Sequence, residues 1–260
     1  MLIIGERINV RTKVLGEAMR NRDFGPIKEM ALKQVQAGAH TLDINIGPAR
    51  KDGPELMEWM VTNLQKVVDC PLCLDTTNPD AMEAGLKVHK GQAIINSTSA
   101  EPERLAAFMP LAARYDAQII ALTLAKGGLP RDAAERCALA AEIMSAAAEH
   151  GVPFENIYLD PIVVPINGQQ EQIPEILESV KMFKELNDPP MKSVVGLSNV
   201  SNSCPEELRP LLNHTFATML ITVGLDAAII DPLDREMIKA VKTTDSLLNR
   251  TLYCHSYLDT

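Results

Sequence analysis

The chain has 260 residues, an apolar share of 46% and a formal net charge of −9. The acidic balance argues against nonspecific nucleic-acid binding, which draws its affinity from Lys and Arg side chains that neutralise phosphates. No window approaches the roughly 18 to 20 apolar residues that a membrane span needs, so we expect neither a nucleic-acid nor a membrane partner. At this length the chain could form two small domains or one α/β barrel, since such barrels run to about 250 residues.

The N-terminus and the cysteine usage indicate a cytoplasmic protein. Residues 1–7 (MLIIGER) enter a strand-like run directly, without the basic region, longer apolar segment and cleavage site of a signal peptide. The five cysteines are odd in number and scattered, which is the wrong density for a disulfide scaffold. Cys70 and Cys73 match the C-x-x-C pattern, but no second pair completes a zinc site, and we interpret them as buried structural thiols.

Short apolar runs recur along the chain with the length and β-branched character of buried strands. We predict strands at residues 2–5, 41–45, 72–75, 93–96, 118–124, 157–160, 194–197 and 227–230. Helical periodicity, proline starts and glycine stops predict helices between them. These helices are expected near residues 26–37, 52–68, 79–88, 99–112, 131–149, 176–186, 206–219 (interrupted by Pro210) and 234–248.

Eight strands alternate with eight helices at a spacing of roughly thirty residues, which is typical of a βα unit. This pattern predicts an α/β fold, a single (β/α)8 TIM barrel that forms one domain over residues 1–260. A doubly wound open sheet is the alternative, because periodicity does not show closure. Neither G-x-G-x-x-G after the first strand nor G-x-x-x-x-G-K-[ST] occurs, so nucleotide binding lacks its usual support.

Polar residues close most of the predicted strands. Active sites of TIM barrels form at the C-terminal ends of the strands, so these residues would meet at one rim. Each of them could simply cap a helix or brace a loop. As a set they indicate a ligand site, because capping does not require acids and amides to alternate around a rim. The predicted rim consists of Glu6, Asn9, Asp43, Asn45, Asp75, Asn96, Asp160, Ser198, Asn199 and Asp231.

The composition of this rim favours a neutral, donor-rich heterocycle. Carboxylates and amides without a matching set of Lys or Arg suit such a ligand better than a phosphorylated sugar. A carboxylate can accept two N–H bonds from an amino-pyrimidinone edge, and a pterin presents that edge. A divalent metal is the competing explanation, but the five histidines lie in or beside predicted helices, and we expect no metal site.

Four segments in barrel order carry a family resemblance, at residues 74–78 (LDTTN), 94–98 (IINST), 159–161 (LDP) and 196–201 (GLSNVS). Together they resemble the methyltetrahydrofolate:corrinoid protein methyltransferases of the pterin-binding barrel family. They are more distantly similar to the folate domain of cobalamin-dependent methionine synthase. The resemblance covers essentially the whole chain. It implies an enzyme that moves a methyl group between N5 of methyltetrahydrofolate and the cobalt of a corrinoid, in a direction and pathway that the sequence leaves open.

The resemblance also implies roles for individual residues. Asp75, Asn96 and Asp160 would anchor the pterin ring, with Asp160 at the amino-pyrimidinone edge. Asn199 would be the catalytic residue near N5, because an amide that accepts a hydrogen bond from protonated N5 favours the transition state over the ground state. The proton would arrive through water or a hydrogen-bond network. The remaining substrate-binding residues would be Ser198, Asn202 and Arg209.

A separate corrinoid or corrinoid/iron–sulfur protein is the partner that the resemblance implies, since no segment here is long enough to add a corrinoid domain. A homodimer is expected from the same likeness. Dihydropteroate synthases share the barrel and the pterin pocket, but they typically carry Ser-Thr-Arg-Pro-Gly after strand two and a Lys at the end of strand seven. Here the equivalents are residues 43–50 (DINIGPAR) and Ser198-Asn199, which favour methyl transfer. A non-catalytic pterin- or folate-binding barrel is the remaining alternative.

Overall fold

The computed structural model describes residues 1–49 and 51–258, so residue 50 of the DINIGPAR segment and residues 259–260 lie outside it. The strands are β1 (Leu2–Asn9), β2 (Thr41–Asn45), β3 (Leu72–Asp75), β4 (Ile94–Ser99), β5 (Gln118–Leu122), β6 (Ile157–Asp160), β7 (Lys192–Gly196) and β8 (Ala227–Ile230). They are parallel, and they form a closed barrel in chain order in which β8 pairs with β1. The predicted TIM barrel is therefore confirmed, and the open sheet is excluded.

Helices follow the strands and cover the outside of the barrel. They are α1 (Lys13–Asn21), α2 (Phe24–Gln36), α3 (Gly53–Leu64), α4 (Pro79–Val88), α5 (Pro102–Arg114), α6 (Ala133–His150), α7 (Ile166–Gln169), α8 (Gln172–Phe183), α9 (Arg209–Thr222) and α10 (Arg235–Leu247). Among the residues described, no helix is long and apolar enough to cross a membrane.

Side-chain caps fix where several helices begin. The carboxylate of Asp132 accepts a hydrogen bond from the Glu135 amide at 2.8 Å, and that of Asp234 accepts one from the Met237 amide at 3.1 Å. Asn78 does the same for α4. These side chains satisfy amides that have no partner inside the helix. Rim-facing loops are thereby held at defined points relative to the strands that precede them.

The barrel interior is filled by side chains that point inward from the strands. This inner cluster contains Ile4, Cys73, Ile94, Ile120, Tyr158, Val194 and Ala227. Burial raises the pKa of the Cys73 thiol well above its ordinary value, which leaves it protonated and inert. Larger apolar clusters pack the helices against the outer face of the barrel. The closed, packed interior leaves the rim as the place where polar side chains meet open space.

The buried side chain of Arg136, on α6, holds the loop that follows β6. Its Nε donates to the Pro161 carbonyl and its Nη2 to Gln172 Oε1, each at 2.7 Å. The guanidinium also lies close enough to Asp160 to oppose the rise that burial causes in the pKa of that carboxyl. The long connection predicted after strand six is therefore tied to the barrel wall, and it contains the single turn of α7.

Several local predictions were wrong. Strand β1 ends at Asn9 rather than at residue 5, and β5 ends at Leu122 rather than at residue 124. Helix α1 was not predicted, although Leu15, Ala18 and Met19 recur at helical spacing, because it is short and has Gly16 in its interior. Pro210 does not interrupt a helix but occupies the first turn of α9, where its missing N–H costs no hydrogen bond. Strand β7 ends at Gly196 rather than at residue 197, and a 3-10 helix (Leu197–Ser201) follows it.

Candidate functional site

The alternation of side chains along the strands produces a polar layer at the C-terminal rim. Inward positions recur every second residue in a strand. The next inward residue after Cys73 on β3 is Asp75, and the next after Ile94 on β4 is Asn96. Glu6 follows Ile4 on β1 in the same way. Acids and amides thus replace the aliphatic side chains in the last layer of the barrel interior.

This layer opens into a cavity of about 710 Å³, which we call the substrate cavity. Its volume lies within the range of about 300–1,000 Å³ that small-molecule sites occupy. Six of the seven sequence-predicted site residues line it, and Asp160 is the exception. The lining residues are Glu6, Arg7, Asn9, Arg11, Thr12, Asp43, Asp75, Asn96, Gly196, Ser198, Asn199, Asn202, Arg209 and Ile229.

Asp160 ends β6 on the same rim but is buried below the cavity wall. Leu122 on β5 is its register partner, and the Ile162 amide donates to Asp160 Oδ1 at 2.7 Å. Burial raises the pKa of this carboxyl to about 7, although the Ile162 amide and the positive charge of Arg136 both lower it. The carboxyl is therefore close to half protonated at neutral pH, and hydrogen bonds donated by a ligand would favour its ionised form.

Two amide–carboxylate pairs join strands at the floor of the cavity, one between β2 and its neighbour β3 and the other between β2 and β4. Asn96 Nδ2 donates to Asp43 Oδ1 at 2.9 Å, and Asn45 Nδ2 donates to Asp75 Oδ2. Burial raises the pKa of Asp75 to about 6, while the hydrogen bond from Asn45 and the charge of Arg11 oppose that rise. Asp43 is more deeply buried, and both its burial and the nearby Asp75 raise its pKa well above the usual range. The floor can exchange protons and hydrogen bonds with a polar heterocycle.

The wall after β7 carries the residues that the sequence placed there. Ser198 and Asn199 lie in the 3-10 helix that follows the strand. Ser198 Oγ donates to Glu6 Oε2 at 3.0 Å, and Asn202 Nδ2 donates to Asn199 Oδ1 at 3.1 Å. Arg209 begins α9 and donates from Nε to the Cys204 carbonyl at 3.0 Å. The amide of Asn199 is thus oriented at the cavity wall by a second amide.

Three arginines line the cavity, and two of them, Arg7 and Arg11, correct the expectation of a rim without a matching set of Lys or Arg. The third is Arg209. Arg11 and Thr12 were missed because β1 runs past Gly5 through a register shift and ends at Asn9, which brings the following turn over the rim. The sequence signal was the polar stretch after Gly5, which lay beyond the predicted strand. The cavity can therefore hold a ligand that combines a neutral ring with an anionic group.

No group of three or more His, Cys, Asp or Glu side chains in residues 1–49 and 51–258 is arranged to hold a metal ion. The rim carboxylates are instead paired with amides or with the Ser198 hydroxyl. The arrangement is that of a binding site for an organic ligand with N–H donors.

The fold and the polar rim define a barrel enzyme of the pterin-binding class. The chain belongs to the pterin binding enzyme family, whose model matches residues 5–231.

Among characterised relatives, the chain is similar to the methylcorrinoid:tetrahydrofolate methyltransferase of Eubacterium limosum. The two are 29% identical over 259 residues, which cover 99% of this chain and 94% of that protein. It is also similar to the methionine synthase of Mycobacterium tuberculosis, with 31% identity over 240 residues. That match covers 88% of this chain and 20% of the methionine synthase, so the chain spans about a fifth of that larger protein.

Solved structures of dihydropteroate synthases share the fold. The enzyme from Vibrio fischeri superposes with a TM-score of 0.74 at 17% identity, covering 96% of this chain and 94% of that one. The Yersinia pestis enzyme, solved with a pterin–sulfa conjugate, gives a TM-score of 0.72 at 16% identity, with coverages of 95% and 94%. At these identities the likeness establishes the barrel architecture alone.

Proposed function

We propose that this protein is a methyltransferase that moves a methyl group between N5 of methyltetrahydrofolate and the cobalt of a corrinoid. The observation that carries the proposal is the position of Asn199. Its amide lines the substrate cavity after β7, opposite a floor of paired acids and amides. The Eubacterium limosum relative, named a methylcorrinoid:tetrahydrofolate methyltransferase, supports the same reaction.

Asp75, Asn96 and Asp160 are proposed to anchor the pterin. The N–H groups of the ring would donate to carboxylates of the cavity floor, and amide side chains there would complete its hydrogen bonds. Asp75 and Asn96 already form hydrogen bonds with neighbouring side chains at this floor. Asp160 would turn its carboxylate to the amino-pyrimidinone edge, which can donate two N–H bonds to it. Its raised pKa supports this role, because donors on the ligand would add to the Ile162 amide and the Arg136 charge in stabilising the ionised form.

Asn199 is proposed to act on the methyl-bearing nitrogen. A methyl group on a tertiary amine leaves only when N5 gains positive charge, so protonated N5 must be stabilised in the transition state. Asn199 Oδ1 can accept a hydrogen bond from that proton while its other lone pair accepts the bond from Asn202. A neutral acceptor avoids an ion pair that would stabilise the ground state equally.

The arginines support a folate rather than a bare pterin. Folates carry a glutamate tail with carboxylates, and guanidinium groups bind carboxylates with two parallel hydrogen bonds. Arg11 and Arg209 are exposed side chains at the cavity, where they can meet the tail. Ser198 and Asn202 would complete the substrate contacts.

The corrinoid is proposed to arrive on a separate protein, as a corrinoid or corrinoid/iron–sulfur protein. The described residues are occupied by one barrel and its helices. The substrate cavity faces the open rim, from which a partner's cobalt could approach the methyl group.

We further propose that the protein is a homodimer, that it is cytoplasmic and that it serves one-carbon metabolism. An apolar groove of about 340 Å³ between α8 and α9 supports self-association. Two apolar side chains that line it are exposed, Leu211 by 68% and Met219 by 40%. The free cysteines support a reducing compartment. Leu211→Glu should halve the mass measured by light scattering, whereas an unchanged mass would remove this face from consideration.

The test of the reaction uses purified protein, methyltetrahydrofolate and free cob(I)alamin. Formation of methylcobalamin and tetrahydrofolate in equal amounts is the expected result. Tight folate binding without turnover would indicate a non-catalytic binding barrel. Production of dihydropteroate from a pterin diphosphate and p-aminobenzoate would instead identify a dihydropteroate synthase and overturn the proposal.

A further inference from the structure

A second, smaller cavity lies behind Glu6 and Ser198, and we call it the rear cavity. Its volume is about 30 Å³, and its wall contains Asn213, Asp231 and Asp234. The volume open to the centre of a water molecule must be about 10–15 Å³ to hold one water, so the rear cavity has room for one or two. Glu6 and Ser198 line both the rear cavity and the substrate cavity. They form the partition between the two spaces.

The rear cavity has the polar groups that an ordered water requires. Asn213 Oδ1 is buried and has no hydrogen-bond partner among the described residues, a costly arrangement that a water molecule in this cavity would relieve. Asp234 reaches the same space, and its Oδ2 is bonded to His214 Nε2 at 2.7 Å. His214 lies on α9 and is partly exposed. Polar groups therefore lead from solvent at His214, through the rear cavity, to Glu6.

Glu6 differs from the other carboxyls of the substrate cavity in its partners. Asp43 and Asp75 each accept a hydrogen bond from the Nδ2 group of an asparagine, and an NH₂ group can only donate. Glu6 is instead bonded by a hydroxyl, Ser198 Oγ, in the residue directly before Asn199. A hydroxyl can accept as well as donate, so this contact survives both protonation states of Glu6.

The surroundings of Glu6 set its proton affinity near neutrality. Burial and the charge of Asp231 raise the pKa of Glu6 to about 7, while the Ser198 hydroxyl and Arg7 lower it. Asp43 lies on the adjacent strand, and the charge of Glu6 contributes to the rise in the pKa of Asp43. A group that is half protonated near pH 7 is best placed to give and take a proton during turnover.

We propose that Glu6 holds the proton that N5 takes up in methyl transfer, and that water in the rear cavity returns a proton to Glu6 after each turnover. This rests on the proposed function. The proton leaves Glu6 for the lone pair of N5, and as the methyl–N5 bond breaks its electron pair stays on N5 as the new lone pair. The electron pair of Co(I) forms the new cobalt–carbon bond, and the metal becomes Co(III). In the reverse direction the Glu6 carboxylate accepts the proton.

The test follows single-turnover methyl transfer to free cob(I)alamin across pH 5.5 to 8.5. In the wild type we expect the rate to fall as pH rises through about 7, because the proton on Glu6 is lost. Glu6→Gln keeps the length and the acceptor for Ser198, so it should bind methyltetrahydrofolate within about threefold of wild type. Its rate should be about 10²–10³ lower and independent of pH across that limb. Glu6→Asp should restore the pH dependence at a reduced rate.

A Glu6→Gln rate within threefold of wild type, or an unchanged pH limb, would overturn the role of Glu6. A wild-type protein that transfers no methyl group would instead sink the proposed function itself, so the two failures are distinguishable.

The rear cavity is tested by Asn213→Leu, which replaces a polar wall with an apolar one. With both substrates in excess, the first turnover should match wild type and later turnovers should be at least tenfold slower, since Glu6 regains its proton slowly. Thr222→Leu, an exposed change on the same helix, serves as the control and should leave both phases unchanged. Equal first and later turnovers in Asn213→Leu would remove the rear cavity from the proton path.

Discussion

Asn202 Nδ2 donates a hydrogen bond to Asn199 Oδ1 across 3.1 Å at the wall of the substrate cavity. This contact fixes the plane of the Asn199 amide and uses one of the two lone pairs on its oxygen. The other lone pair remains for a proton on N5. We therefore propose that Asn202 contributes to methyl transfer by orienting Asn199.

Replacement of Asn202 by Leu should lower the single-turnover rate of methyl transfer about tenfold, because one orienting hydrogen bond is worth about 1.4 kcal/mol. Affinity for methyltetrahydrofolate, measured by calorimetry, should change less than the rate. Asn202→Gln presents the same amide on a longer side chain and should recover part of the loss. Equal rates for all three proteins would show that Asn199 needs no such orientation.

Gly196 provides the space for the same amide. A Cβ at this position would lie 3.1 Å from Asn199 Nδ2, which is tighter than an ordinary contact. Gly196→Ala should therefore displace the Asn199 amide and lower the transfer rate about tenfold or more. Its urea-unfolding free energy should stay within about 1 kcal/mol of wild type, because the backbone there (φ −80) suits alanine. Gly127→Ala, with open space around its Cβ, is the matched control and should change neither quantity.

Asp160 should release protons when folate binds. Its pKa of about 7 in the free protein would fall once the carboxylate accepts N–H bonds from the pterin. Calorimetry at pH 7 in buffers of different ionisation enthalpy should then detect release of about half a proton per folate. Asp160→Asn should abolish this release, because an amide has no carboxyl proton to lose. It should also weaken folate binding about a hundredfold or more, since its NH₂ group would face the N–H donors of the pterin. The same release in both proteins would contradict the assigned contact.

The raised carboxyl pKa values make stability depend on pH. Burial raises the pKa of Glu6 and Asp160 to about 7 and that of Asp75 to about 6. The folded chain therefore binds more protons than the unfolded chain between about pH 4 and pH 7. The free energy of unfolding should fall as pH rises through that window, by up to about 1.4 kcal/mol per pH unit for each group. Burial lowers the pKa of His40 and His89, so these two groups make the free energy of unfolding rise with pH. They oppose the effect of the carboxyls but are fewer in this pH window.

Urea unfolding of the ligand-free protein at pH 5.5 and pH 8 measures this effect. We expect the higher stability at pH 5.5, and a shallower dependence in Glu6→Gln and Asp160→Asn. Greater stability at pH 8 would mean that the buried carboxyls are already ionised in the folded chain.

The sequence predicted the barrel and most of the rim because both depend on short-range patterns. Each strand is a compact apolar run, and Asp75 and Asn96 sit at the point where such a run ends. Since parallel strands share one C-terminal edge, order along the chain was enough to bring these residues together. The strand-end motif after β7 located Ser198 and Asn199 in the same way.

Features that depend on long-range packing could not be read from the sequence. Glu6 and Ser198 are 192 positions apart, and nothing local to either residue indicates that they bond. The proton affinity of Glu6 follows from burial and from Asp231, which only barrel closure brings near. Arg11 reaches the cavity because β1 is longer than its apolar run, and its side chain is exposed. The helix that follows has its apolar residues Leu15, Ala18 and Met19 at helical spacing, but it is only nine residues long and contains Gly16, which weakens the signal in the sequence.

The role of Asn199 in methyl transfer is measured with the Asn199→Ala variant. The single-turnover rate of methyl transfer from methyltetrahydrofolate to cob(I)alamin should fall by about 10²–10³, the loss typical of a removed transition-state hydrogen bond. The dissociation constant of methyltetrahydrofolate should rise by no more than about tenfold. An Asn199→Ala protein that transfers the methyl group at the wild-type rate would contradict a catalytic role for Asn199.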